Sequence, residues 1–96
     1  MIDINIFKKK TLFIFSDPGG AKPILSFIKL NNLKNFEVIS DRNYKFYDLF
    51  KLKIKIRKTL DLKFLKDFKP NIIFVGTSYL SKLELIYIEY AKKNNI

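Results

Sequence analysis

The chain has 96 residues, the size of one small domain, and its 48% hydrophobic residues place it above the composition of disordered chains, so we expect a packed core. The absence of Cys and His excludes disulfides, thiolate or imidazole metal sites and a Ser-His-Asp triad. The longest apolar runs, residues 11–15 and 72–75, are about five residues long against the roughly 20 of a membrane span, and no secretory signal is visible. We therefore expect one cytoplasmic domain that uses neither a metal nor a cofactor.

The formal net charge of +10 raises nucleic acids and anionic surfaces as partners. Of the 19 basic residues only Arg42 and Arg57 are arginines, although Arg is the group that phosphate recognition favours. The lysines are spread along the chain and belong to different predicted elements. We therefore predict a solvated, Lys-rich surface with no specific nucleic-acid site, and peripheral association with an anionic membrane surface remains open.

The first half of the chain predicts two strands and two helices. Residues 11–15 form a short apolar run, typical of a strand buried on both faces, which stops at the turn-like residues 16–20. Pro23 suits the first turn of a helix, whose apolar residues recur at helical spacing as far as residues 31–32. Residues 36–40 predict a second strand, and a short aromatic helix follows over residues 44–50.

The second half repeats the pattern. In residues 51–56 lysines alternate strictly with Leu and Ile, which predicts a strand with one wet face. Thr59 or Asp61 can cap a third helix, which ends at residues 69–70. Residues 71–75 predict a fourth strand, whose residues 72–75 are all apolar. The predicted buried stripe of the third helix is Leu62, Leu65 and Phe68, and that of a final helix is Leu83, Ile86, Tyr87, Tyr90 and Ala91.

Strands that alternate with helices indicate an α/β fold, here a three-layer Rossmann-like arrangement with a parallel sheet in the order 3-2-1-4. The lysines of the third strand fit an edge position, where they discourage aggregation. The fourth strand would be the other edge, yet it carries no charge and is predicted to be buried on both faces. We therefore expect residues 1–96 to be one incomplete N-terminal domain that lacks a C-terminal part. Its exposed surface is expected to make it either marginally soluble or self-associating.

In an open parallel sheet, ligands bind beyond the carboxyl ends of the strands where the strand order reverses, here between strands one and four. The two loops that meet there hold all three glycines, and glycine lets a ligand approach the backbone closely. Asp17 is the only carboxylate in either loop and is the candidate catalytic residue, as a general base or a sugar-hydroxyl acceptor. The candidate ligand-binding residues are Ser16, Gly19, Gly20, Lys22, Gly76, Thr77 and Ser78.

Each of these signals also has a structural interpretation. Asp17 can simply hydrogen-bond the amides of its own turn, and residues 76–78 can be a loop with a helix cap. Asp41 follows strand two about 20 residues after the glycine pair, where dinucleotide folds place a ribose-binding acid. Neither loop has the phosphate-loop or dinucleotide-binding motif, which argues against an ATPase or a nicotinamide-dependent dehydrogenase.

The Gly-Gly-Ala of residues 19–21, the Lys-Pro-Asn of residues 69–71 and the Gly-Thr-Ser of residues 76–78 resemble the N-terminal Rossmann-like domain of GT-B glycosyltransferase-like proteins. That superfamily includes the UDP-N-acetylglucosamine 2-epimerases. Asn71 stands where that family frequently has Asp. The resemblance implies two Rossmann-like domains with the active site between them, in which the N-terminal domain faces the acceptor.

The resemblance also implies the ligands, a nucleotide sugar and a sugar acceptor in surface polysaccharide synthesis, with most nucleotide-sugar contacts made by a missing C-terminal domain. Residues 1–96 alone are then expected to be inactive, and transferase and epimerase chemistry both remain open. Two other functions compete. One is a non-enzymatic, flavodoxin-like binding domain; the other is a basic nucleic-acid-binding domain, which would need its lysines on one face with exposed aromatic residues between them.

Overall fold

A computed structural model describes residues 8–76 and 82–96, which form alternating strands and helices around one parallel sheet. The elements are β1 (Thr11–Phe15), α1 (Pro18–Leu30), β2 (Phe36–Ser40), α2 (Tyr47–Phe50), β3 (Lys55–Ile56), α3 (Leu62–Phe68), β4 (Ile72–Val75) and α4 (Lys82–Lys93). The strand order is β3-β2-β1-β4, and every neighbouring pair is parallel. The predicted α/β class, the four parallel strands and the order 3-2-1-4 are confirmed, and the layers are consistent with a Rossmann-like arrangement.

The central strand β1 is buried along its whole length and supplies both cores of the domain. Successive side chains of a strand point to opposite faces of the sheet. Phe13 and Phe15 therefore pack into the core beneath α1 and α2, whereas Leu12 and Ile14 pack into the core beneath α3 and α4. Because apolar residues cover both faces of β1, the uninterrupted hydrophobic run in the sequence has a direct structural reason.

The start of α1 differs from the sequence prediction. The helix begins at Pro18, with Asp17 as its N-cap, and Pro23 lies inside it and not in its first turn. Proline suits the first helical position, because its missing N–H has no partner there in any case. The Asp-Pro-Gly-Gly segment is therefore the first turn of α1, and no glycine within the described residues has a positive φ.

The third strand is shorter than predicted. Only Lys55 and Ile56 pair with β2, and Lys51 is the left-handed C-cap of α2 with a φ of 53°. The backbone must leave α2 before it can join the sheet, so residues 51–54 make no ladder. The predicted alternation of faces is nevertheless present, because Leu52, Ile54 and Ile56 pack against the core beneath α1 and α2.

The helices beyond β3 confirm the predicted cap and correct the predicted stripe. Asp61 caps α3, and its Oδ1 accepts a hydrogen bond from the backbone N–H of Phe64 at 3.1 Å. Leu65 is buried as predicted, but Leu62 is 52% exposed, and Phe64 stacks on Phe68 instead. In α4, Leu83 and Tyr87 are buried as predicted, together with Glu84, which the apolar pattern did not include.

Strand β4 is the outer edge of the sheet beside β1, and its four residues are half-buried. Both faces of β4 are covered as predicted, since Phe74 packs against one core and Ile73 and Val75 against the other, but burial is only partial because the strand is at the sheet edge. Phe74 still contributes to the core, with its ring centroid 5.6 Å from that of Phe13. No helix in residues 8–76 and 82–96 is long and apolar enough to cross a bilayer.

Candidate functional site

The carboxyl ends of β1 and β4 lie side by side at the position where the strand order reverses. Chain connections run from β1 through β2 to β3 on one side, and β4 lies on the other side of β1. In parallel sheets this point leaves a crevice between the loops that follow the two strands. The structure therefore has the predicted switch point, formed by the loop after Phe15 and the loop after Val75.

The two glycine loops touch at this point. A Cβ atom placed on Gly76 would lie 3.6 Å from the Cα of Gly20 and 3.3 Å from the Cβ of Phe15. The N–H of Gly76 donates a 2.8 Å hydrogen bond to the carbonyl of Ile14, which fixes the loop against β1. The backbone approach is close enough that a larger residue at position 76 would require its neighbours to move.

Glu84 adds a carboxylate that the sequence analysis did not assign to the site. Its side chain comes from the first turn of α4, is only 3% exposed, and places Oε2 3.0 Å from the Cβ position of Gly76. An acid is favourable near a helix N-terminus because of the helix dipole. The available signal was an acid beside Leu83 in the predicted first turn of the last helix, directly after a glycine loop.

Asp17 has the geometry of a helix cap. Its Oδ1 accepts a hydrogen bond from the N–H of Gly20 at 2.9 Å, and its carbonyl accepts one from the N–H of Ala21, also at 2.9 Å. This arrangement supports the structural interpretation of Asp17. A carboxylate has two oxygens with about four lone-pair sites, so capping and accepting a proton from a ligand are chemically compatible.

Arg42 lies at the same end of the sheet and interacts electrostatically with two acids. The pKa of Arg42 is raised above its ordinary value, chiefly by a hydrogen bond from its Nη1 to the Tyr44 hydroxyl at 3.4 Å, with smaller electrostatic contributions from Asp41 and Asp17. The Oδ1 of Asp41 is buried and has no hydrogen-bond partner within the described part of the chain. The exposed guanidinium supplies a donor at the edge of this acidic region.

The remaining predicted site residues lie around the same loops. Ser16 is buried at the end of β1, and Gly19 is in the first turn of α1, where an added Cβ would meet Asp17 Oδ1 at 3.6 Å. Lys22 is exposed on α1, with its Nζ 5.1 Å from the ring centroid of Phe46 beside α2. Thr77 and Ser78 lie outside the described residues.

The charged groups beside the two glycine loops bear on the kind of ligand that could bind there. Asp17 caps α1 and the buried Glu84 packs against Gly76, so each glycine loop has a carboxylate beside it, and carboxylate oxygens accept hydrogen bonds from hydroxyl groups. In residues 8–76 and 82–96 no group of three or more acids is close enough to hold a metal ion.

Comparisons of the chain with protein-family models, with curated proteins and with solved structures found no match.

Proposed function

We propose that this chain is the acceptor-side Rossmann-like domain of a glycosyltransferase-like protein that acts on nucleotide-activated sugars. The observation that carries the proposal is the contact between the loops of Gly20 and Gly76 beneath the carboxylate of Glu84. This contact lies at the switch point of the sheet, the position where α/β domains bind their ligands. The acidic lining suits the sugar acceptor, and the nucleotide would then be held mainly by a partner domain.

In this function the residues of the chain bind and deprotonate the acceptor. The carboxylate of Asp17 accepts hydrogen bonds from sugar hydroxyls, and Arg42 donates one from the rim. Glu84 is buried and acts through Gly76, against which its carboxylate packs. Asp17 accepts the proton of the attacking acceptor hydroxyl. The oxygen of that hydroxyl then forms a bond to the anomeric carbon of the donor sugar. The bond from that carbon to the nucleoside diphosphate breaks, and the diphosphate leaves with the electron pair.

The binding step can be tested by titrating the ¹⁵N-labelled chain with N-acetylglucosamine, UDP and UDP-N-acetylglucosamine. We expect the two sugar-containing ligands to shift the amide signals of Gly20, Gly76 and Glu84, and UDP alone to leave them unchanged. Glu84→Gln should weaken binding about tenfold, since it removes the charge of the buried carboxylate that packs against Gly76 in the binding loop. Glu89→Gln, an exposed position on the same helix, is the matched control. The absence of shifts at these amides with all three ligands would contradict the proposal.

A second candidate, a non-enzymatic binding domain, is favoured by one observation, the capping hydrogen bond from Gly20 to Asp17. In that case Asp17 stabilises α1 and transfers no proton. The two functions differ in whether the natural protein catalyses turnover of a nucleotide sugar. If Asp17 is a general base, Asp17→Asn should lower the turnover rate about 10²- to 10⁴-fold. A binding domain would show no turnover with either residue.

A further inference from the structure

The end of the sheet opposite the crevice gathers lysines that are far apart in the sequence. Strands β1, β2 and β4 begin, and helices α1, α3 and α4 end, at one edge of the parallel sheet, here called the amino end. The short β3 is different, because it pairs only with Ile39 and Ser40 at the far end of β2. Backbone contacts show this convergence, because the N–H of Asn71 donates to the carbonyl of Lys10 at 2.8 Å, and the Asn35 side chain donates to that of Lys8 at 3.4 Å. Segments 8–10, 34–35 and 69–71 therefore lie together.

Nine of the 19 basic residues lie at the amino end, and all nine are exposed. They come from the segment before β1, the last turns of α1, α3 and α4, and the connections that follow α1 and α3. They are Lys8, Lys9, Lys10, Lys29, Lys34, Lys66, Lys69, Lys92 and Lys93. Within the described residues Glu37, Asp67 and Glu89 lie in or next to these segments, so nine cations face three acids and the amino end carries most of the excess positive charge.

Helix stabilisation accounts for only part of this cluster. Cations in the last turn of a helix interact favourably with its dipole, which explains Lys29, Lys66, Lys92 and Lys93. The other five lysines lie outside the helices. Concentrating so many like charges at one end is unfavourable for the isolated fold, because their mutual repulsion opposes compaction. An anionic partner would relieve that repulsion.

We propose that the amino end of the sheet docks onto an anionic lipid surface. The cations are all lysines, which act as hydrated point charges and suit a diffuse layer of headgroups, whereas nucleic-acid recognition favours Arg. Leu30, at the end of α1 beside Lys29, is 84% exposed and provides an apolar side chain that can enter the headgroup region.

The aromatic residues at this end also favour lipid over nucleic acid. Single-stranded nucleic acids bind through open aromatic faces on which bases stack. Phe68 is half-buried, stacks on Phe64, and has the Lys10 ammonium 5.9 Å from its ring centroid. Docking through the amino end leaves the crevice at the carboxyl end open to ligands, so this inference does not depend on the proposed function.

The test is co-sedimentation of the 96-residue chain with vesicles of phosphatidylcholine alone or with about one-third phosphatidylglycerol. The amino-end variant carries Lys9→Gln, Lys29→Gln, Lys66→Gln and Lys92→Gln. The matched control carries Lys45→Gln, Lys58→Gln, Lys63→Gln and Lys82→Gln, four exposed lysines outside the amino end that remove the same net charge. Circular dichroism is used to check that both variants are folded.

We expect binding only to the anionic vesicles, with an affinity that falls as salt is added. Each lysine near an anionic surface contributes about a fivefold factor, so the amino-end variant should bind on the order of 10²- to 10³-fold more weakly, and the control much less so. Equal losses in the two variants would overturn the proposal, because net charge alone would then explain binding. Absence of binding to anionic vesicles at low salt would overturn it as well.

A second variant and a competitor separate lipid docking from other anionic partners. Leu30→Ala should weaken vesicle binding about three- to tenfold, while Leu49→Ala, which removes an equally exposed leucine from α2, should leave it unchanged. An RNA oligonucleotide that displaces the chain from vesicles, and whose own binding the amino-end variant loses, would identify a nucleic-acid surface and overturn the lipid proposal.

Discussion

The carboxylate of Glu84 lies directly over Gly76, so that a Cβ atom added to this glycine would be 3.0 Å from Glu84 Oε2. The two residues come from separate elements, the end of β4 and the first turn of α4, and they meet where both glycine loops converge. Glycine at position 76 is therefore required by a close approach, since its φ is not positive. The contact links the stability of the α4 N-terminus to the shape of the candidate crevice.

Gly76→Ala is expected to destabilise the fold by about 1–3 kcal/mol, because the added methyl group forces Glu84 and Phe15 to move. Urea denaturation measures the change. Gly19→Ala is the control, since its Cβ would make ordinary contact at 3.6 Å and alanine is favoured over glycine in a helix by about 0.5–1 kcal/mol. A Gly76→Ala variant as stable as the parent chain would show that Glu84 relaxes without cost.

Asp17→Ala should reduce stability by about 1 kcal/mol, since the N–H of Gly20 loses its capping acceptor. Asp17→Asn should leave stability nearly unchanged, because the amide oxygen can accept the same hydrogen bond. Asp67→Ala, an exposed acid in the last turn of α3, serves as the control for loss of a carboxylate. If Asn proves as destabilising as Ala, the negative charge itself and not the capping hydrogen bond stabilises α1.

Asp61 predicts a defined dependence of stability on pH. Its pKa lies below the ordinary value of 3.8, first because its carboxylate accepts the Phe64 N–H and second because it pairs with Arg57, at 3.0 Å. A depressed native pKa stabilises the fold above the unfolded-state pKa, and the contribution is lost as the pH falls through the native pKa. The parent chain should therefore exceed Asp61→Asn in stability at pH 7, with the difference shrinking below about pH 4.

This difference is measured by urea denaturation of both proteins across the acid range. Asn at position 61 retains a capping oxygen, so the comparison isolates the charge. Added salt should also reduce the difference, since the pair with Arg57 is partly exposed. A gap between the two proteins that stays constant from pH 7 to the acid limit would contradict the linkage.

The raised pKa of Tyr87 predicts how the stability of the fold changes at alkaline pH. Burial raises its pKa above the ordinary value of 10.0, and its hydroxyl accepts a hydrogen bond from the N–H of Asp61 at 3.3 Å. The neutral phenol is favoured in the folded state, so its contribution is complete below pH 10 and is lost as the pH rises from 10 towards the native pKa. Stability of the parent chain should therefore decline above pH 10.

Tyr87→Phe should be less stable than the parent chain at pH 7 by about 1 kcal/mol, because the amide of Asp61 loses its acceptor. Its stability should nevertheless fall less steeply above pH 10. Tyr47, whose pKa is also raised by burial, remains in the variant and retains part of the slope. Identical slopes for the two proteins above pH 10 would show that Tyr87 does not titrate with unfolding.

Much of the fold could be predicted because its signals are local. The apolar run of residues 11–15 specifies a strand covered on both faces, and Asp61 specifies a cap three residues before the Phe64 amide it binds. The strand order followed from the alternation of elements and the lysines near β3. Boundaries were less predictable, since Asp-Pro-Gly-Gly is equally compatible with a turn and with the start of α1.

What the sequence determined by itself is the class of fold, the position of the switch point and the identity of the two glycine loops, because periodicity and turn chemistry act over a few residues. Only the tertiary structure decided that Glu84 packs against Gly76 and that lysines from residue 8 to residue 93 share one end of the sheet. Neither feature has a local pattern. Both depend on the return of the helices across the sheet, which brings distant segments of the chain to a common edge. Lysines that are spread evenly along the sequence are therefore concentrated at one end of the folded domain.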